Sequence, residues 1–259
     1  MAGDEYITKR EHSWRTTIPF ACKLRHNITN HHISIASILR CLYNESGKTF
    51  YQEVSTLKNK LHTKELYLPT DPDILQEQER CLGLQYDYNH TRPSEGTKRA
   101  ELLSKMLAEI GEGCYIEPPL HANWGGHHVH FGKNVYANFN LTMVDDTHIY
   151  VGDNTLFGPN VVLATGGHPL LPELRAKGYQ FNAPIHIGKN CWLGAGVMVM
   201  PGITIGDNTV VGAGSIVTKN LPSGVLAVGN PCRVLRMIGE HERKFYFKDK
   251  RIPAELLMK

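Results

Sequence analysis

A repeat of six residues runs through the second half of the chain and restricts its fold more than any other feature. Each unit, or hexad, has an apolar residue first, usually glycine second and a small residue fifth. The clearest hexads are VGDNTL from Val151, FGPNVV from Phe157, IGKNCW from Ile187, LGAGVM from Leu193, IGDNTV from Ile205 and VGAGSI from Val211. Degenerate hexads keep almost the same phase between 131 and 222. This regular period predicts a solenoid in which each unit packs on its neighbours.

The composition of the hexad indicates that the solenoid is made of β-strands. Two or three extended residues place the first apolar side chain inward, and a turn follows. Glycine, Asn and Asp accept the positive φ that a tight corner requires. Three hexads close one triangular coil, whose Val, Ile and Leu side chains are buried against the coils above and below. We therefore expect a mainly β protein, a parallel β-helix of four coils.

The register of the hexads is interrupted twice. Two extra residues occur near Thr147 and His148, and the span from Gly167 to Pro184 contains no hexad. Because that span is as long as one coil and the flanking hexads keep their phase, it can leave the β-helix and return without disturbing the core. We predict an inserted loop at 167–184, and long ordered loops in compact domains are usually functional.

The residues before the hexads read as two short helices. Asp71 and Pro72 have the sequence of an N-cap followed by proline at the first helical position, and apolar residues then recur at helical spacing. A second helix is expected to begin near Ser94, with an apolar stripe extending to Ile110 and an end at Gly111. Four parts are predicted: an extension of unknown role at 1–62, a small N-terminal helical cap at 63–113, the β-helix at 114–237 and a C-terminal tail at 238–259.

Composition excludes several classes of partner. The formal net charge is only +3, and Lys and Arg are mixed with Asp and Glu, so no nucleic-acid partner is expected. The six cysteines form no CxxC pair, which argues against a thiolate zinc site and a compact disulfide framework. No apolar stretch suits a membrane span or a signal peptide. We expect no membrane partner and a cytoplasmic location.

Four motifs give the chain a family resemblance. They are NHTRPSEGTKR from Asn89, YANFNLTMVDD from Tyr136, TGGHPLLPELR from Thr165 and VGNPCRVLR from Val228. Over about 63–250 the chain resembles the galactoside and maltose O-acetyltransferases, and this resemblance does not extend to the first sixty residues. The resemblance implies a left-handed parallel β-helix, a homotrimer, acetyl-CoA as co-substrate in the groove between neighbouring subunits, and a sugar as acceptor.

The resemblance also implies roles for individual residues near the inserted loop. Acetyl transfer to a sugar hydroxyl needs a base, and histidine titrates in a suitable range. His168 falls on the catalytic histidine of the family and is the expected general base. Asn123 and Asp146 are the expected acceptor-binding residues, although relatives carry serine or aspartate in place of Asn123, which leaves the choice of acceptor open.

A second set of residues is expected to bind acetyl-CoA. Small side chains would allow close approach of the pantetheine arm, and basic side chains would meet the phosphates. A backbone N–H near Gly194 would meet the oxyanion of the intermediate. The residues of this set are Asn138, Trp192, Ala195, Ala213, Thr218, Lys219, Arg233 and Arg236. Ala195 stands where the galactoside enzyme carries serine.

Two alternatives from other functional classes fit the repeats. A zinc hydro-lyase of the γ-type carbonic anhydrase class would use histidines, and four cluster at His121, His127, His128 and His130. That class uses a His-x4-His pair, which the β-helix lacks, so we expect no metal. A non-catalytic β-helix scaffold would explain the repeats but not the Gly-His-Pro loop.

Overall fold

The computed structural model describes residues 60–70 and 72–257. Helix α1 spans Pro72–Asn89 and helix α2 spans Gly96–Met106, as the cap prediction required. The predicted cap residue Asp71 and residues 1–59 of the N-terminal extension lie outside the described residues. The second helix is shorter than predicted, because Ile110 belongs to a strand. The apolar side chain of Ile110 continues the helical spacing in the sequence but packs against the core of the β-helix.

Short parallel strands form the three faces of a β-helix, which confirms the predicted fold. Face 1 contains β1 (Glu109–Ile110), β4 (Val129–Phe131), β7 (Ile149–Val151), β12 (Ile185–Ile187) and β15 (Thr204–Ile205). Face 2 contains β2 (Tyr115–Ile116), β5 (Tyr136–Ala137), β8 (Leu156–Phe157), β13 (Trp192–Leu193), β16 (Val210–Val211) and β18 (Val225–Val228). Face 3 contains β3 (Leu120–Ala122), β6 (Leu141–Val144), β9 (Val162–Ala164), β14 (Met198–Val199) and β17 (Ile216–Val217).

The number of coils differs from the prediction. Five coils have a strand on each face, and a sixth contributes β18 and a bridge from Leu221 to Ile205. The prediction of four was wrong because the first and last coils lack clear hexads. The extra coils lengthen the buried core, in which Leu141, Leu163 and Leu193 are fully buried.

The corners between the faces use asparagine and glycine in different ways. At the first corner, between faces 1 and 2, Asn154 and Asn190 have positive φ, and their side chains belong to a ladder of amide hydrogen bonds. The glycine of these hexads is needed for space, because a Cβ on Gly152 would lie 2.7 Å from the backbone carbon of Gly188. We expected both residue types to supply positive φ, and in these hexads only asparagine does.

The span 167–184 leaves the β-helix as an inserted hairpin. Strand β10 (Gly166–Gly167) pairs antiparallel with β11 (Phe181–Asn182), and a short helix α3 (Pro172–Ala176) lies between them. Strand β7 precedes the hairpin in the chain and β12 follows it, and Val151 of β7 still pairs in register with Ile187 of β12. The insertion therefore presents its residues at the corner between faces 3 and 1, the third corner, without changing the register of the coils.

The chain ends beside the last coils. Strand β19 (Arg233–Met237) pairs antiparallel with β18, and β20 (Phe245–Phe247) pairs with β21 (Lys250–Arg251) before a 3-10 turn at Ala254–Leu256. Between 60 and 257, leaving out residue 71, no helix is long and apolar enough to cross a membrane.

Candidate functional site

Three predicted site residues meet at the third corner. Asn123 follows β3, Asp146 follows β6, and His168 follows β10, which continues from β9. Because β3, β6 and β9 are paired in register on face 3, the residues that follow them are stacked one coil above another. The hexad repeat thus brings together side chains that are more than twenty residues apart in the chain.

Asp145 fixes the first of these corner segments. Its buried carboxylate accepts hydrogen bonds from the backbone N–H groups of Trp124, at 2.7 Å, and Gly126, at 3.0 Å. Burial raises the pKa of Asp145 to about 6, against the lowering effect of the hydrogen bond from Trp124. Asp145 therefore holds the turn that carries Asn123, a structural role that the sequence analysis did not assign.

Asp146 is the carboxylate at the centre of the corner. Its side chain is 6 % exposed, and the amide of Asn123 donates a hydrogen bond to Oδ1. Burial raises the pKa of Asp146, while the hydrogen bond from Asn123 and the nearby charge of His168 lower it. A Cβ on Gly166 would lie 2.8 Å from Asp146 Oδ2, so glycine leaves room for the carboxylate. Asn123, Asp146 and His168 therefore lie at the same corner of one chain.

His168 is exposed at the start of the inserted hairpin. Its Nδ1 lies 3.0 Å from the backbone oxygen of Tyr179. A carbonyl oxygen only accepts hydrogen bonds, so Nδ1 must carry the proton that it donates. In the neutral ring, the lone pair is then on Nε2, where a base could use it.

Asn182 and Tyr67 also belong to this corner, and sequence reasoning missed both. The amide of Asn182 donates to the backbone oxygen of Asp146, at 3.3 Å, and to the hydroxyl of Tyr67, at 2.9 Å. The one sequence feature that could have indicated Asn182 is its amide side chain near the end of the predicted loop. Nothing near Tyr67 in the sequence marks it as part of a site.

Three of the eight expected cofactor residues lie at the second corner, between faces 2 and 3. Asn138, Ala195 and Ala213 follow β5, β13 and β16, and hydrogen bonds between successive coils stack these turns. Trp192 lies beside this corner on the outside of face 2, with 54 % of its surface exposed.

The expected arginines lie on β19, at the edge of face 2. Both are exposed, and Arg236 Nη2 forms an ion pair with Glu242 Oε1 at 2.7 Å. Hydrogen bonding to Arg236 lowers the pKa of Glu242 to about 2. Arg236 and Trp192 line a cavity of about 320 Å³ under the C-terminal tail, together with Phe245 and Tyr246.

The remaining cofactor candidates, Thr218 and Lys219, lie elsewhere. They follow β17, so they are exposed at the third corner, two coils beyond the coil that carries His168. Apart from Trp192 and the two arginines, the expected cofactor residues are thus divided between two corners of the same face. The strands of face 3 that separate these two corners are two to four residues long. A three-residue strand spans about 10 Å, which is therefore the approximate distance between the corners.

Comparison with known proteins shows which family the chain belongs to. The family described as the maltose acetyltransferase hexapeptide capping motif matches residues 60–111, and bacterial transferase hexapeptide (six repeats) matches 184–219. A galactoside O-acetyltransferase of Lactococcus lactis subsp. lactis is 50% identical over 76% of this chain and 95% of its own. That of Escherichia coli is 43% identical over 77% of this chain and 98% of its own. The chain belongs to the galactoside and maltose O-acetyltransferase family.

Solved structures agree with this assignment. A galactoside acetyltransferase in complex with coenzyme A superposes with a TM-score of 0.73 at 43% identity, over 77% of this chain and 98% of that one. A maltose O-acetyltransferase from Clostridium difficile superposes with a TM-score of 0.69 at 38% identity, over 71% of this chain and 98% of that one. The chain is therefore an acetyl-CoA-dependent O-acetyltransferase, rather than a carbonic anhydrase or a non-catalytic scaffold.

Two of the histidines that suggested zinc, His128 and His130, pack against other histidines in this acetyltransferase. His130 Nε2 lies 2.9 Å from His148 Nδ1, and the rings of His62 and His128 are 5.0 Å apart. Burial lowers the pKa of His128 and of His148 to about 4. Within the described ranges, no group of three or more His, Cys, Asp or Glu residues is placed to hold a metal ion.

Proposed function

We propose that the enzyme transfers the acetyl group of acetyl-CoA to a sugar hydroxyl of the galactoside, maltose or glucose type, with His168 as general base. The observation that carries this proposal is the hydrogen bond from His168 Nδ1 to the Tyr179 oxygen, which leaves Nε2 able to accept a proton. The named activity of the relatives supports the choice of a sugar. We also propose that the enzyme is located in the cytoplasm.

The reaction follows from this arrangement. The sugar hydroxyl attacks the thioester carbonyl carbon as Nε2 of His168 takes its proton. A backbone N–H near Gly194 and Ala195 stabilises the oxyanion of the tetrahedral intermediate. When the carbon–sulfur bond breaks, the thiolate of coenzyme A takes the proton from His168. The products are an O-acetyl sugar and free coenzyme A, and the histidine returns to its neutral form.

Asn123 and Asp146 are proposed to bind the acceptor. Asp146 lies close enough to His168 for the charge of the histidine to lower the pKa of the Asp146 carboxyl, against the larger raising effect of burial. Asn123 is exposed while its amide donates to Asp146, so its side-chain oxygen is available to a sugar hydroxyl. The polar corner therefore suits an acceptor with several hydroxyl groups.

We propose that the enzyme is a homotrimer in which each site uses two copies. Asn138, Ala195 and Ala213 lie at the second corner, whereas His168 and Asp146 lie at the third. A face of the β-helix separates the two sets within one copy, so residues from both can contact one acetyl group only when a neighbour supplies one set. Cyclic association brings unlike corners of adjacent copies together.

Kinetics of two His168 variants test the proposed base. Coenzyme A release is measured with a galactoside, maltose and glucose for the wild type, His168→Ala and His168→Asn. Both variants should lose about a hundredfold or more in kcat, with little change in KM for acetyl-CoA. Full activity in either variant, or no acetylation of any of the three sugars by the wild type, would refute the proposal.

A further inference from the structure

The segment from Leu61 to Tyr67 is hydrogen-bonded to the strand that returns from the inserted hairpin. Tyr67 and Gln180 exchange two backbone hydrogen bonds, at 3.0 and 3.1 Å. The Tyr67 side chain is 3 % exposed, and its hydroxyl oxygen accepts hydrogen bonds from the amides of Gln180 and Asn182. Residues before the first helix thus contact the hairpin that carries His168.

Asn182 connects this segment to the acceptor corner. Its Nδ2 lies within hydrogen-bonding distance of three oxygens, those of Leu61 and Asp146 on the backbone and that of the Tyr67 hydroxyl. The two backbone oxygens can only accept, so the amide nitrogen must face them. Asn182 is fully buried, and its Oδ1 has no hydrogen-bond partner among the residues that the structure describes. The orientation of the amide therefore depends on the oxygens that surround Nδ2.

The same strand controls the position of His168. Asn182 pairs with Gly166 and Phe181 with Gly167, directly before His168. Tyr179, three residues before Asn182, supplies the oxygen that holds His168 Nδ1. A shift of residues 179–182 would therefore move the histidine and loosen the hydrogen bond to the backbone of Asp146 at once.

We propose that Tyr67 is a positioning residue of the acetyl transfer reaction, which acts through Asn182 and Gln180 on Asp146 and His168. This inference rests on the proposed role of His168 as base. Removal of the Tyr67 hydroxyl takes away an acceptor shared by two amides, so the Gln180 amide loses this partner and the Asn182 amide keeps only the two backbone oxygens. Since a misplacement of about 1 Å can lower a rate about a hundredfold, loss of this hydroxyl should lower kcat.

Tyr67→Phe tests the inference, with Tyr88→Phe as the matched control. The hydroxyl of Tyr88 is also buried and donates to the Ile116 oxygen at 2.5 Å, so both variants lose one buried phenol hydroxyl that joins the N-terminal region to the β-helix. Thermal unfolding, kcat and KM for acetyl-CoA are measured for both. Both proteins should be destabilised, but only Tyr67→Phe should lose about tenfold or more in kcat at unchanged KM for acetyl-CoA.

A milder variant keeps the inference testable if Tyr67→Phe does not fold. Gln180→Met removes one donor to Tyr67 but leaves the backbone bridge in place, and it should give a smaller loss in kcat of the same kind. The inference is wrong if folded Tyr67→Phe has a kcat within about twofold of the kcat of Tyr88→Phe. If Tyr67→Phe does not fold, the same criterion applies to Gln180→Met. His168→Asn, assayed in parallel, separates the two claims: if it is active, the proposed base is wrong. If it is inactive while Tyr67→Phe is fully active, only the positioning role is wrong.

Discussion

Replacing His128 with asparagine should remove part of the enzyme's sensitivity to mild acid. His128 is 8 % exposed, and its Nδ1 donates to the Asp145 backbone oxygen at 2.7 Å. Burial lowers its pKa to about 4, and the neighbouring rings of His62, His127 and His148 act in the same direction. An asparagine amide can make the same hydrogen bond without a titrating group.

The sign and size of the effect follow from proton linkage. The pKa of His128 is lower in the folded protein, so the unfolded chain binds more protons between about pH 6.5 and pH 4. The stability due to neutral His128 is complete above this range and is lost as the pH falls through it. From about pH 7.5 to about pH 5 the loss amounts to about 2 kcal/mol for this residue. Asp145, with its raised pKa, opposes the loss but is present in both proteins.

Urea unfolding at the two pH values measures this contribution. Wild type, His128→Asn and a control at the exposed His121, His121→Asn, are compared at one protein concentration, because association affects apparent stability. The free energy of unfolding of the wild type should fall more than that of His128→Asn, by about 2 kcal/mol, and His121→Asn should follow the wild type. An equal fall in the wild type and His128→Asn would show that His128 is not held neutral by burial.

Three further predictions concern the core, the corners and the chemistry. Leu163→Ala should cost about 2–5 kcal/mol in urea unfolding because Leu163 is fully buried, whereas Leu156→Ala at a half-exposed position should cost far less, and similar costs would contradict the assigned core. Gly152→Ala should destabilise the β-helix because of its close approach to Gly188, while Gly83→Ala, in open space on α1, should stabilise by up to about 1 kcal/mol, and a neutral Gly152→Ala would count against the packing argument. Dialysis against EDTA should leave acetyl transfer unchanged because the proposed base needs no metal, and a loss restored by zinc would contradict the mechanism.

The β-helix was predictable because its signal is local. In IGKNCW, the apolar Ile187 and the corner residue Asn190 lie in one hexad, so six residues suffice to predict a strand and a turn. The first coil lacks this signal: Ile110 is spaced like a helical residue, and only its pairing with Phe131 assigns it to face 1. Coils at the two ends were therefore missed.

Candidate site residues could be named from the sequence only through the family resemblance. His168 and Asp146 stand within motifs shared with the family, and the structure places them at one corner. Tyr67 and Asn182 are 115 positions apart, and their hydrogen bond exists only because the hairpin returns beside the cap segment. The division of the cofactor residues between two corners was also hidden, since it depends on which face each strand occupies.

The assignment of these two corners to different copies is tested most directly by subunit complementation. His168→Ala and Asn138→Ala, which we expect to be inactive on their own, are mixed as unfolded chains in equal amounts, refolded together and assayed for coenzyme A release with a galactoside. In the proposed trimer, every mixed assembly contains one site with both native residues, so random mixing should restore about one quarter of the wild-type rate. A mixture no more active than the average of its two parents would contradict a site shared between copies.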